Sequence, residues 1–87
     1  MISSEIQDKL IEIFKHRTEI DFLQNKHIQD LKLLGNDLRV PPRELVLILF
    51  DIEKEFDIQI PKDIVIEGRF DTYANVERIV MEQCRAM

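Results

Sequence analysis

The sequence predicts an all-α domain: a bundle of four helices, the third short, with a long connection between the first and second. Three observations carry the prediction. Apolar residues recur at helical spacing in three stretches of the chain. Prolines, hydroxyl or acidic residues and glycine stand where such stretches begin or stop. The 87 residues are 45% hydrophobic and 33% charged, the balance of one folded domain rather than a disordered chain. A chain of this length buries roughly 60–65% of its unfolded surface, so its core is small.

The first helix is expected over about 3 to 17, "SSEIQDKLIEIFKHR". Ser3 or Ser4 can cap it, and Glu5 and Asp8 lie near the positive end of its dipole. Ile6, Leu10, Ile13 and Phe14 follow at helical spacing, with Ile2 before them. Residues 18 to 41 read as a long connection containing one short helical stretch. Ile20, Leu23, Ile28, Leu31 and Leu34 keep a loose helical rhythm, Thr18 with Asp21 can open a turn and Gly35 can close one. A structureless connection of this length would be unusual in a compact domain.

The second helix is expected over 42 to 56. It begins in "VPPRELVLILF", where Pro41 and Pro42 precede six consecutive apolar residues, Leu45 to Phe50. Proline suits a first helical turn because the N–H it lacks has no partner there. At 100° per residue, Leu45, Ile48, Leu49, Ile52 and Phe56 share the inward face. Arg43, Leu47, Phe50, Asp51 and Lys54 fall on or near the other. "DIQIP" then makes an extended turn whose Ile60 points to the core. A short third helix near 62 to 67 stops at Gly68. The fourth, about 72 to 84, starts from Asp71 or Thr72 and carries Tyr73, Val76, Ile79 and Val80. The expected core is Ile6, Leu10 and Phe14, the five inward residues of the second helix, Ile60, Val76, Ile79 and Val80.

Several function classes are disfavoured. The net charge of −5 makes nucleic acid and anionic membrane poor partners and a protein with a basic rim a better one. The longest apolar run is six residues, against roughly 20 to cross a bilayer. "MISSEIQDKL" meets acid by Glu5 without a basic start, so a secretory signal is not expected. The single cysteine, Cys84, fits a reducing cytoplasm. His16, His27 and Cys84 match no zinc spacing, and two glycines make no phosphate-cradling loop. No metal site and no enzyme are expected, and carboxylates on amphipathic helices are read as a solvated face.

The order of elements resembles the acyl carrier protein family. "LVLILFDIEKEFDIQIPKD" looks like that family's central helix, an apolar stretch running into acid and then Ile-Pro; "FDTYANVERIV" resembles the start of its fourth helix. The resemblance spans nearly the whole chain and is carried mainly by residues 44 to 80. It implies a four-helix acyl-carrier-like bundle. Carriers of this family hold 4′-phosphopantetheine on a serine that opens the central helix. Counting back from Phe56 puts Pro42 at that position, whereas anchoring on "LLGND" puts Leu38 there with about four inserted residues. Neither has a hydroxyl. The only serines are Ser3 and Ser4, and Thr18 and Thr72 lie elsewhere in the pattern.

The resemblance therefore implies a carrier-like domain without its cofactor arm. Degenerate carriers of this kind occur in bacterial clusters that modify ribosomal peptides or make secondary metabolites. A monomeric, cytoplasmic, non-enzymatic module docking a biosynthetic or peptide-modifying enzyme is the leading expectation. A genuine acyl or peptidyl carrier with an unusual attachment site is the alternative, and an unrelated small helical domain the third. The expected partner-binding residues are Arg43, Glu44, Val46, Leu47, Phe50, Asp51 and Lys54. From Arg43 to Asp57 five acids face two bases, a net of −3. The competing reading is that residues 18–41 fold over Leu47 and Phe50 and make them core.

Overall fold

Four helices and one 3-10 turn make up the computed structural model, which describes residues 3–85. In chain order they are α1 (Ser3–Thr18), the 3-10 turn Lys26–Ile28, α2 (Pro42–Phe56), α3 (Lys62–Ile66) and α4 (Tyr73–Arg85). No strand is present among the described residues. Ile2 lies outside them. α1 packs on both α2 and α4.

The helix boundaries have local causes. Pro41 is extended (φ −62°, ψ 141°) and Pro42 is the first residue of α2. α2 ends at Asp57, whose N–H still makes the helical bond to the Glu53 carbonyl and whose left-handed backbone (φ 53°, ψ 50°) turns the next N–H, of Ile58, onto the same carbonyl at 3.2 Å; aspartate tolerates that conformation better than most residues. α3 ends before Gly68, at φ +76°, where a side chain would strain the backbone. Of the two candidate caps for α4, Thr72 takes the role: its hydroxyl accepts the Asn75 N–H at 3.1 Å.

The connection between α1 and α2 is ordered mainly by hydrogen bonds rather than helix. The Thr18 hydroxyl donates to the Phe14 carbonyl (2.7 Å) and accepts from the Ile20 N–H (3.2 Å). The Asp21 carboxylate accepts the Leu23 and Gln24 N–H groups, a side-chain turn. The segment is tied to the start of α4: the Leu33 N–H donates to the Asp71 carbonyl (2.8 Å) and the Ala74 N–H to the Gln29 carbonyl (3.0 Å). Lys32 pairs with Asp71 beside these bonds. Burial pushes the Asp71 carboxyl up, but hydrogen bonds from Lys32 and Asn75 outweigh it and hold it below the usual aspartate value.

The connection also supplies core. Phe22, Leu33 and Val40 are buried, whereas Leu23 and Leu34, which fit the helical rhythm, are exposed. Phe22 stacks on Tyr73 of α4, centroids 4.7 Å apart and 9° between planes. Both meet Phe14 of α1 edge-on, at 5.4 and 5.3 Å. This aromatic cluster joins α1, the connection and α4, in arrangements that aromatic quadrupoles favour.

Ten of the twelve expected core residues are buried; Leu45 and Leu49 are half-buried and pack at the core's edge. The core further takes in Ile11, Ile58, Ile64, Phe70 and Tyr73. The Tyr73 hydroxyl is buried with no acceptor in hydrogen-bonding geometry, although the Glu77 carboxylate lies near enough to bear on it. Burial drives its pKa far above the ordinary value, and the charges of Glu77 and Asp8 push the same way. A buried orphan hydroxyl costs about 1–3 kcal/mol. Tyr73→Phe should therefore leave stability unchanged or raise it by about 1 kcal/mol, read from urea midpoints. A clear loss would mean that the hydroxyl has a partner in solution.

Candidate functional site: an apolar face between α2 and α3

α2 has more apolar residues than one buried face can use. Ile48, Ile52 and Phe56 are fully inward. Leu45 and Leu49, one step around the helix, stay half-buried, and across the gap they border stands α3, only five residues long. α3 has the same surplus: Ile64 is buried, but Val65 and Ile66 are exposed, Ile66 by 82%. Two open grooves result. One, of about 360 Å³, is lined by Leu34, Pro42, Leu45, Val46, Leu49, Val65 and Phe70, with the Lys32–Asp71 pair at its edge. The other, of about 560 Å³, is lined by Leu49, Phe50, Ile60, Pro61, Val65 and Ile66, with Glu53 and Lys62. Leu49 and Val65 belong to both and form the ridge between them.

Six large apolar side chains are exposed among the described residues, and five of them (Leu34, Val46, Phe50, Val65 and Ile66) line these grooves. Isolated exposed apolar residues are ordinary, but a contiguous patch marks a contact surface. Phe50 is 57% exposed. Residues 18–41 do not cover it, because their buried side chains join the core and their hydrogen bonds run to α4.

The seven residues expected to bind a partner do not form one patch. Val46 and Phe50 line the grooves. Leu47 is half-buried and Asp51, one turn later, faces α1. The Arg17 guanidinium donates to Asp51 through Nε (2.7 Å) and Nη2 (3.2 Å). That hydrogen bond raises the Arg17 pKa further, against an opposing effect of burial. Glu44 is half-buried and bears on Arg17; Arg43 and Lys54 are exposed; and none of Arg43, Glu44 and Lys54 lines a groove. Lys9 of α1 lies 3.8 Å from Glu55. Two of the five acids counted on α2 are thus matched by bases of α1.

Leu34, Leu45, Leu49, Val65 and Ile66 are groove residues that helical counting assigned to core or left unassigned. For Val65 and Ile66 one sequence signal existed: "IVI" at 64–66 sits in a helix too short to bury all three side chains.

Pro42, at the first position of α2, is exposed, while Leu38 lies in the preceding turn and packs against the core. Ser3 and Ser4 are in the first turn of α1; the Thr18 and Thr72 hydroxyls are engaged locally. No group of three or more His, Cys, Asp or Glu side chains able to hold a metal occurs among the described residues. No described helix is long and apolar enough to cross a membrane. The chain matches no protein-family model, no curated protein and no solved structure.

Proposed function

We propose that this protein is a non-enzymatic docking module of acyl-carrier type, without a 4′-phosphopantetheine arm, that presents α2 and α3 to a partner enzyme of a biosynthetic or peptide maturation pathway. The observation that carries the proposal is the uncovered apolar face centred on Leu49 and Val65. A small domain that leaves Phe50 and Ile66 in water incurs a solubility risk, and a partner that covers them removes it. An apolar centre edged by the charged residues Lys32, Glu53, Lys62 and Asp71 has the anatomy of a recognition surface.

The missing arm rests on chemistry at the start of α2. The resemblance to carriers calls for a hydroxyl there, and helix counting from Phe56 brings Pro42 to that point. A proline has no oxygen to take the phosphopantetheinyl group, and neither has Leu38. Incubation with a phosphopantetheinyl transferase and coenzyme A should leave the intact mass unchanged. A gain of one prosthetic arm would establish a true carrier with an unusual attachment site.

Pro42→Ser is expected to remain a poor transferase substrate. The enzyme reads the surface around the hydroxyl, and "VPPRE" lacks the acid that precedes the serine in carriers. Efficient modification of Pro42→Ser would show that the surface survives and only the nucleophile has been lost.

A further inference from the structure

We infer that the occupant of the α2–α3 face is a short partner segment that inserts two bulky apolar side chains, one on each side of the Leu49–Val65 ridge, and that carries no excess of basic charge. This rests on the docking reading above and specifies the chemistry of the partner. Three features of the face support it.

The first is shape. Two grooves of about 360 and 560 Å³ meet at one ridge, so the complementary surface is a pair of convex apolar groups rather than a flat patch. The second is size. The exposed apolar patch consists of five side chains, Leu34, Val46, Phe50, Val65 and Ile66. Each partner contributes roughly 800 Å² to a standard interface between globular proteins. Five exposed side chains fit a segment of a few residues better than a second copy, whose interface would take roughly 20–30 residues a side.

The third is charge. Residues 43–57 carry a net −3, but Asp51 and Glu55 meet Arg17 and Lys9 of α1 rather than the grooves, and the charged residues that line the grooves, Lys32, Glu53, Lys62 and Asp71, sum to zero. Across α3 and the turn after it, Lys62 and Arg69 cancel Asp63 and Glu67. The face is close to neutral, and the surplus negative charge lies elsewhere on the chain. Within the grooves Lys32 is matched by Asp71, and Glu53 accepts the Ile60 N–H at 2.9 Å. A strongly basic partner would find no unpaired acidic cluster here; apolar contact must supply the affinity.

The test selects a random dodecapeptide library, displayed on phage, against the full chain. Enriched peptides should share two aromatic or large aliphatic residues at a fixed spacing, with no enrichment of Lys or Arg. A synthesised winner should change its Kd by less than about threefold between 0.05 and 0.5 M salt, because screening acts on charge and not on apolar contact. Val65→Glu and Ile66→Glu should each weaken it by about tenfold or more, while Leu23→Glu, exposed but off the face, should not. Both groove substitutions are at exposed positions, and equal melting temperatures would confirm that they fold. Lys- or Arg-rich winners with steep salt dependence would overturn this inference and leave docking intact. A concentration-dependent dimer abolished by Ile66→Glu would overturn it too and assign the face to a second copy. No enriched peptide, or winners that bind both groove variants as well as the parent, would remove the docking reading itself.

Discussion

Phe22→Ala should lower the urea midpoint more than almost any other single substitution in this chain. Truncating a fully buried phenylalanine costs about 3–5 kcal/mol, from lost transfer free energy and the cavity left behind. A domain of this length has roughly 4–13 kcal/mol in total, at about 0.05–0.15 per residue. Phe22 is fully buried and stacks on Tyr73 while meeting Phe14 edge-on. Its loss opens the junction of α1, the connection and α4 at once. The Gln29 side-chain amide, which donates to the Phe22 carbonyl at 2.8 Å, would lose the fixed geometry that orders this turn. Leu23→Ala supplies the control, one residue away but exposed, and should stay within about 0.5 kcal/mol. If the two variants melt alike, the connection does not hold Phe22 in the core.

Phe22 also marks where the sequence stopped being legible. Helical elements announce themselves by period, so Ile48, Ile52, Val76 and Val80 could be assigned inward from spacing alone. Boundaries were legible where local chemistry is decisive, Pro41 and Pro42 before α2 and Gly68 after α3, while the start of α4 was narrowed to Asp71 or Thr72, between which the Thr72 hydroxyl bond decides. Residues 18–41 follow no period, because hydrogen bonds decide which of their side chains turn inward. The Asp21 side-chain turn buries Phe22 and leaves Leu23 outside. The bonds of Leu33 and Val40 fold the rest back toward α4. Gly35 permits that fold, since a Cβ there would come within 3.1 Å of the Lys32 carbonyl oxygen. Counting at 100° per residue could not have found these contacts, which join residues far apart in the chain.

The apolar face was legible only by half. Val46 and Phe50 stood out because α2 holds six apolar residues in a row. The assignment of Leu47 and Asp51 to the same outward patch assumed that α2 has one wet side. It has two different flanks: α1 reaches Asp51 through Arg17, and α3 leaves Leu49 and Phe50 bordering the grooves. A helical wheel gives angular positions but not which neighbour stands at each angle. The acid count on α2 had the same weakness, because the bases that answer Asp51 and Glu55 are more than thirty residues away.

Phe50→Ala and Ile52→Ala should part stability from recognition on a single helix. The two residues are two positions apart, about 200° around α2. Ile52 is fully buried and its truncation should cost about 2–5 kcal/mol. Phe50, more than half exposed, should cost no more than about 0.5 kcal/mol. Binding should respond to Phe50. Aromatic anchors at the centre of an interface typically contribute 2 kcal/mol or more, about thirtyfold in Kd. For a groove-binding peptide, titration against Phe50→Ala should show that loss while the melting curve overlays the parent. Leu47→Ser is the informative third variant. Leu47 lies outside both grooves, so its effect on binding should be the smaller. Should Phe50→Ala instead unfold the domain by several kcal/mol, the residue is core in solution and the face is not free to dock. Should Leu47→Ser match Phe50→Ala in lost binding, recognition extends over the crest of α2 toward Asp51, and the ridge at Leu49 and Val65 is only one edge of the contact.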